Sequence, residues 1–169
     1  VVANDRESRE EMVRFMARDL LGIEFQSEKV PFRTYDLAVL LHPFDFPTDP
    51  EDGIESVEVK QLRLMPIDNV GERVTLECLR KADRTIWSMS AERFGANDPL
   101  AGGWVATQAK LSIKFHPKGD AKRGRTLPLT ITMPHGCNLK DQTEEEQLIG
   151  DKYLRRWGIL SGDGGVVVD

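Results

Sequence analysis

Residues 57–64 read Val-Glu-Val-Lys-Gln-Leu-Arg-Leu, and residues 105–113 read Val-Ala-Thr-Gln-Ala-Lys-Leu-Ser-Ile. Apolar and polar positions take turns in both, the period of a strand with one buried face. Each stretch opens the same order of signals. In the first, Val57, Val59, Leu62 and Leu64 are followed by a turn at 66–71, a second alternating run at Val74, Leu76 and Cys78, then Asp83-Arg84-Thr85, where Asp83 is expected to cap a short helix, and Phe94-Gly95. In the second, Val105, Thr107, Ala109, Leu111 and Ile113 lead to Leu127, Leu129 and Ile131, then Asp141-Gln142-Thr143 and Trp157-Gly158. Two successive ββα units are therefore expected, over 57–95 and 105–158.

Working outward, Asn4 or Asp5 can cap a helix over 6–21, whose Met12, Phe15, Met16, Leu20 and Leu21 fall on one face before Gly22. Residues 30–41 favour a strand, with Pro31 at its start. Pro43, Pro47, Pro50 and Gly53 punctuate a loop over 42–53. In the second helix Thr143 and Glu146 have capping-box spacing, and Glu144 and Glu145 suit the positive end of the helix dipole. The predicted fold is α+β in a single domain over 1–160: an N-terminal helix, a mostly antiparallel sheet of about five strands built from two ββα units, and helices packed on one face. Residues 161–169 read as a C-terminal tail, whose Val166, Val167 and Val168 could add to a sheet edge.

Composition narrows the function. The 169 residues are 40% hydrophobic and 30% charged with a net charge of −5, so the overall field does not favour nucleic acid or an anionic membrane. No apolar run approaches the roughly 18 residues of a membrane span. Residues 1–21 are rich in Arg and Glu, unlike a signal peptide. The chain begins at Val1 and reads as a fragment or processed form. Of its 2 cysteines, Cys78 alternates with core positions and Cys137 lies in a Pro-His-Gly-Cys-Asn turn, so no disulfide is expected and the compartment reads as reducing and cytoplasmic.

Several constellations carry possible chemistry. Lys118, Lys122, Arg123 and Arg125 form a basic hairpin loop, with Lys110 and Lys114 on the strand leading into it and Arg155 and Arg156 as candidate supports. Such a ribbon can grip phosphate, although a solvated hairpin tip collects the same residues. His135 and Cys137 invite a thiol-nucleophile reading. Two residues apart in a turn, however, they give poor nucleophile–base geometry, and Gly136 and Asn138 fit a structural turn instead. Asp45, Asp49, Glu51 and Asp52 lack the spacing of a Ca²⁺ loop. Trp87, Trp104 and Trp157 lie near element ends and read as core anchors.

Two family resemblances attach to these residues. Glu58-Val59-Lys60, preceded by Asp45, Asp49 and Asp52, resembles the acidic-x-Lys arrangement of the PD-(D/E)xK nucleases. That implies a divalent metal held by carboxylates while the lysine steadies water or phosphate. The family's first acid belongs on the preceding strand, whereas all three candidates here stand in the intervening loop. Val74-Thr75-Leu76-Glu77 and Asp83-Arg84-Thr85-Ile86 resemble the opening of a β-grasp, ubiquitin-like domain, and Gly164-Gly165 invites comparison with a conjugation tail. The long second hairpin and the C-terminal helix depart from that pattern.

The expectation is a non-catalytic interaction or accessory module. Its partner would be another protein or another domain of the same polypeptide, with no cofactor, no metal and no membrane. The first alternative is nucleic-acid or polyanion binding through 116–125. The second is a metal-dependent nuclease-like hydrolase using Glu58 and Lys60.

Overall fold

Alternation along the longest strands builds the sheet. In the computed structural model, which describes residues 33–78, 84–119 and 122–162, strand β2 spans Ile54–Pro66 and strand β4 spans Trp104–Phe115. They pair antiparallel along their whole length, from Ile54 opposite Phe115 to Pro66 opposite Trp104. Three register shifts interrupt the ladder, between Ile54 and Ser56, Val59 and Gln61, and Arg63 and Leu64. Each inserts one extra residue and so swaps which parity faces inward. The shifts explain why the inward set changes from Val57 and Val59 to Leu62 and Leu64, and on β4 from Ala106 to Ala109, Leu111 and Ile113.

Strand β3 (Val74–Glu77) covers β2 only from Gln61 to Leu64. On the far side β5 (Thr126–Thr132) pairs β4, and β6 (Gly136–Cys137) pairs β5, giving an antiparallel order β3-β2-β4-β5-β6. Helix α1 (Ile86–Phe94) lies between β3 and β4 in the chain, and helix α2 (Glu144–Arg156) follows β6. The inner face of the sheet, with Leu62, Leu64, Leu111, Ile113, Leu127 and Leu129, shares one apolar cluster with Ile86, Tyr153 and Leu154 of the helices. The other face carries Glu58, Lys110, Ser112, Lys114 and Thr130. No helix among the described residues is long and apolar enough to cross a membrane.

Three expectations need correction. The strand predicted over 30–41 is, among its described residues, only β1 (Thr34–Tyr35), followed by a 3₁₀ turn at Ala38–Leu41. The Asp36 carboxylate accepts from Ala38 N at 2.9 Å and starts that turn, whose spacing buries both Leu37 and Leu40. Nor does β1 join the large sheet; it pairs with β7 (Leu160–Ser161), and the fifth strand of the large sheet is β6. Helix α1 is capped by Thr85 rather than Asp83: Thr85 Oγ1 accepts from Ser88 N at 3.2 Å and Ser88 Oγ accepts from Thr85 N at 3.1 Å. The helix predicted over 6–21 and residues 163–169 of the tail lie outside the described residues.

Thr143 and Glu146 form the capping box their spacing predicts. Thr143 holds the Glu146 carboxyl below its ordinary range, first through its hydroxyl and then through its backbone N–H. Farther along α2, Gly150 lies against Leu139, and a methyl at Gly150 would come within 2.4 Å of Leu139 Cδ1. An alanine in mid-helix ordinarily stabilises by about 0.5–1 kcal/mol, while overpacking a closed core costs about 1–3 kcal/mol. Gly150→Ala is therefore expected to lower the melting temperature by several degrees. A rise on thermal unfolding would show that Leu139 yields freely.

Candidate functional site

The loop over 42–53 is bound to α2 by a polar network. Tyr153 is fully buried, and its hydroxyl accepts from Asp49 N at 2.8 Å while donating to Asp52. The Lys152 ammonium bridges Asp49 at 2.8 Å and Asp52 at 2.7 Å, and Arg156 pairs with Asp49. Trp157 Nε1 donates to Pro47 O at 3.1 Å, and its ring meets Phe46 edge-on at 4.8 Å between centroids. The residues at 152, 153, 156 and 157 recur at helical spacing, so one turn of α2 meets the whole loop.

Charge is shifted accordingly. Arg156, then Lys152, hold Asp49 below the ordinary 3.8, while Lys152 and then Tyr153 do so for Asp52. The hydrogen bonds it donates to Asp49 and Asp52 raise Lys152 above 10.5. Burial, then the bond to Asp52, raises Tyr153 above 10.0, so its hydroxyl stays protonated through neutral pH. Every charge here has a partner, and the network fixes the loop rather than presenting a free acid or base. Among the described residues no group of three His, Cys, Asp or Glu could hold a metal ion.

Sequence reasoning divided these residues otherwise. Arg156 was grouped with the basic hairpin loop; the structure separates them. Arg125 stacks over the Phe115 ring at 4.5 Å and pairs with Glu145 at 2.9 Å, in the first turn of α2. Arg155 pairs with Asp151 at 2.8 Å in the last turns of the same helix. Ten residues of helix, about 15 Å, lie between the two ends. Lys118, Lys122 and Arg123 stand exposed at the hairpin, with no ion pair among the described residues. Gly124 closes the hairpin, because a Cβ there would fall 1.5 Å from the Phe115 carbonyl oxygen.

Glu58 and Lys60 form an ion pair with each other on β2. Of the loop acids, Asp45 lines the same cavity as this pair, while Asp49 and Asp52 are taken up by α2. Cys137 is half-buried in β6 opposite Ile131. Asn138 spans the neighbouring turn, accepting from Thr130 N at 2.7 Å and donating to Pro128 O at 3.1 Å. Cys78 is buried at the end of β3, its thiol donating to Arg84 O at 3.3 Å.

Two surfaces were not singled out from the sequence. The first is an apolar end of the sheet. Met65 stands opposite Val105, Ile67 N donates to Gly103 O at 3.0 Å, and Met133 N donates to Thr107 O at 2.9 Å. Ile67 is 67% exposed, Val70 73%, and Val105 and Met133 37% each. The second is a cavity of about 600 Å³ beside β2, between Phe44 and Phe46 of the loop and Thr85 to Trp87 at the start of α1. Comparison with protein-family models, with curated proteins and with solved structures finds no significant match for this chain.

The network predicts how acid acts on stability. Above 3.8 both carboxylates are charged in the folded and the unfolded chain, so their contribution is complete; it is lost as pH falls through their lowered folded values. Tyr153→Phe leaves Asp49 N without its partner and is expected to cost about 1–3 kcal/mol at pH 7. Asp52→Asn should destabilise at pH 7 and by less at pH 3, where the contribution of the charged carboxylate is already being lost. Denaturant unfolding at the two pH values checks both, and a pH-independent Asp52→Asn difference would contradict the assignment.

Proposed function

We propose that this chain is a non-catalytic interaction module that docks on another protein, or on another domain of its own polypeptide. The observation that carries this reading is the apolar end of the sheet. Met65, Ile67, Val70, Val105 and Met133 come from three separate chain segments, and four of the five are exposed. Side chains of that kind gathered at one place, beside polar Arg63, Gln108 and Thr132, mark a surface that gains by leaving water. We read the two hairpin-then-helix passages as one repeated scaffold, with the functional difference lying in what each hairpin tip presents.

The test compares the unaltered chain with an Ile67→Glu, Val105→Glu double variant in affinity capture with quantitative mass spectrometry. Both sites are exposed, so melting temperature should hold within a few degrees. The expected result is a defined partner depleted about tenfold or more in the variant, as for a docking centre. Identical retained sets, or none above background, would sink the reading.

A second reading has its own observation. Lys118, Lys122 and Arg123 are exposed at the hairpin tip with no ion pair among the described residues, which suits them to meet a polyanion. Arg125, Arg155 and Arg156 contribute less, each being engaged by a carboxylate. Three phosphate contacts predict that duplex-DNA affinity falls about 40-fold between 50 and 200 mM salt. Lys122→Glu with Arg123→Glu should abolish it. Absence of binding at 50 mM salt on duplex and single-stranded probes would remove the reading. The nuclease-like alternative draws on Asp45, Glu58 and Lys60 lining one cavity, and ranks lower because Glu58 and Lys60 neutralise each other.

A further inference from the structure

Between α1 and β4 the chain closes another cavity, of about 370 Å³, against the turn at Ala38–Leu41. Helix α1 runs out at Phe94 into a 3₁₀ turn over Gly95–Asn97, and Asp98 then fixes the path of the chain. Its N–H donates to Gly95 O at 3.2 Å, and its carbonyl accepts from Ala101 N at 3.0 Å. Its Oδ1 accepts from Leu100 N at 2.9 Å and from the hydroxyl of Ser90, a fully buried residue of α1, at 2.6 Å. Leu100 is itself buried, so the turn is anchored at both ends.

Leu41, Ala91, Leu100 and Ala101 give this cavity apolar walls. The Trp87 indole lines it too, held by its Nε1 donating to Leu40 O at 2.8 Å. Trp87 and Ala91 are one helical turn apart and share a face of α1. His42, Ala91 and Ala101 are exposed, so the cavity opens at the surface. Among its lining residues Asp98 is the one carboxylate, and there is no lysine or arginine. Asp98 has no ion pair among the described residues, with His42 or any other, and both of its side-chain hydrogen bonds go to Oδ1. A carboxylate fixed in place among apolar side chains, with one oxygen unspoken for, gains most from an incoming cation. Trp is also the ring that attracts a cation best. The volume falls in the lower part of the range of built ligand sites, roughly 300–1,000 Å³.

We propose that this cavity binds a small organic cation, an ammonium or guanidinium group on a short apolar stem. The charged head pairs with Asp98 Oδ2 beside the Trp87 indole, and the stem lies along Leu41, Ala91 and Leu100. An anion is repelled by Asp98, and a neutral apolar molecule would strip water from the carboxylate without replacing it. A free molecule and the arginine side chain of a partner protein both carry the required group, and the test separates them. The inference goes beyond the docking reading, whose residues are those of the Ile67–Val105 end.

The probe is butylguanidinium, titrated against the unaltered chain and followed by amide and indole chemical shifts. Saturable shifts are expected at the Trp87 indole and at Ala91, Leu100 and Ala101. Butylurea has the same shape without the charge and should bind about tenfold or more weakly. Asp98→Asn keeps an oxygen for Leu100 N and Ser90 while removing the charge, and should weaken the guanidinium by about tenfold as well. Ala91→Leu fills the cavity from an exposed helix position and should block it. If Asp98→Asn fails to fold, the butylurea comparison on the unaltered chain still decides. An arginine between two alanines, capped at both ends, separates the sources. Tighter binding than that of butylguanidinium assigns the cation to a partner's side chain, and weaker binding assigns it to a free ligand. Equal affinity for butylurea, unchanged affinity in Asp98→Asn, shifts confined to other acidic positions such as Glu144 and Glu145, or no shift at millimolar probe would overturn the proposal.

Discussion

The register of β2 on β4 is the constraint on which the rest of the structure depends. It is the longest ladder among the described residues, and its three bulges decide which side chains enter the core. Without the extra residue at 60, Leu62 and Leu64 would turn to the outer face, and Gln61 and Arg63 would replace them within. A slip of one residue inverts a whole face, so the apolar pattern and the bulges must agree. His116 N donates to Gly53 O, so alternate residues of β4 turn to β2, and the backbones of Ser56 and Glu58 meet those of Lys114 and Ser112.

A second constraint holds the loop that lines the cavity beside β2. Phe44 and Phe46 belong to a proline-rich loop with little regular structure of its own. Phe46 is placed by Trp157, and the following residues by Tyr153, Lys152 and Arg156. Asp49 and Asp52 are thus positioning residues for a loop, and the long, capped α2 is the rigid body they are tied to. Trp87 joins this arrangement from the other side, donating from Nε1 to Leu40 O at 2.8 Å. The loop is therefore held from both helices.

Much of this was legible in the sequence because local signals and tertiary structure agree. Alternation marked both hairpins, and Thr143 with Glu146 marked the start of α2. The misreadings came where one local signal competed with another. Residues 30–41 carry β-favouring side chains, yet Asp36, bonding two residues ahead, bends the chain into a 3₁₀ turn at Ala38–Leu41. Asp83 and Thr85 are both good caps, and Ser88 decided for Thr85 by completing the reciprocal pair. The grouping of Arg125 with Arg155 and Arg156 failed because nearness of charge is a tertiary property: opposite ends of one helix receive them. Nothing local to Tyr153 says that its hydroxyl finds Asp49 and Asp52.

Amide hydrogen exchange along β2 tests this register most directly. Ser56 and Glu58 face β4 and are expected to exchange on the order of a hundredfold more slowly than Val70 in the exposed turn after β2. Exchange at Ser56 and Glu58 as fast as at Val70 would contradict the register, because it would mean that these amides do not pair with β4.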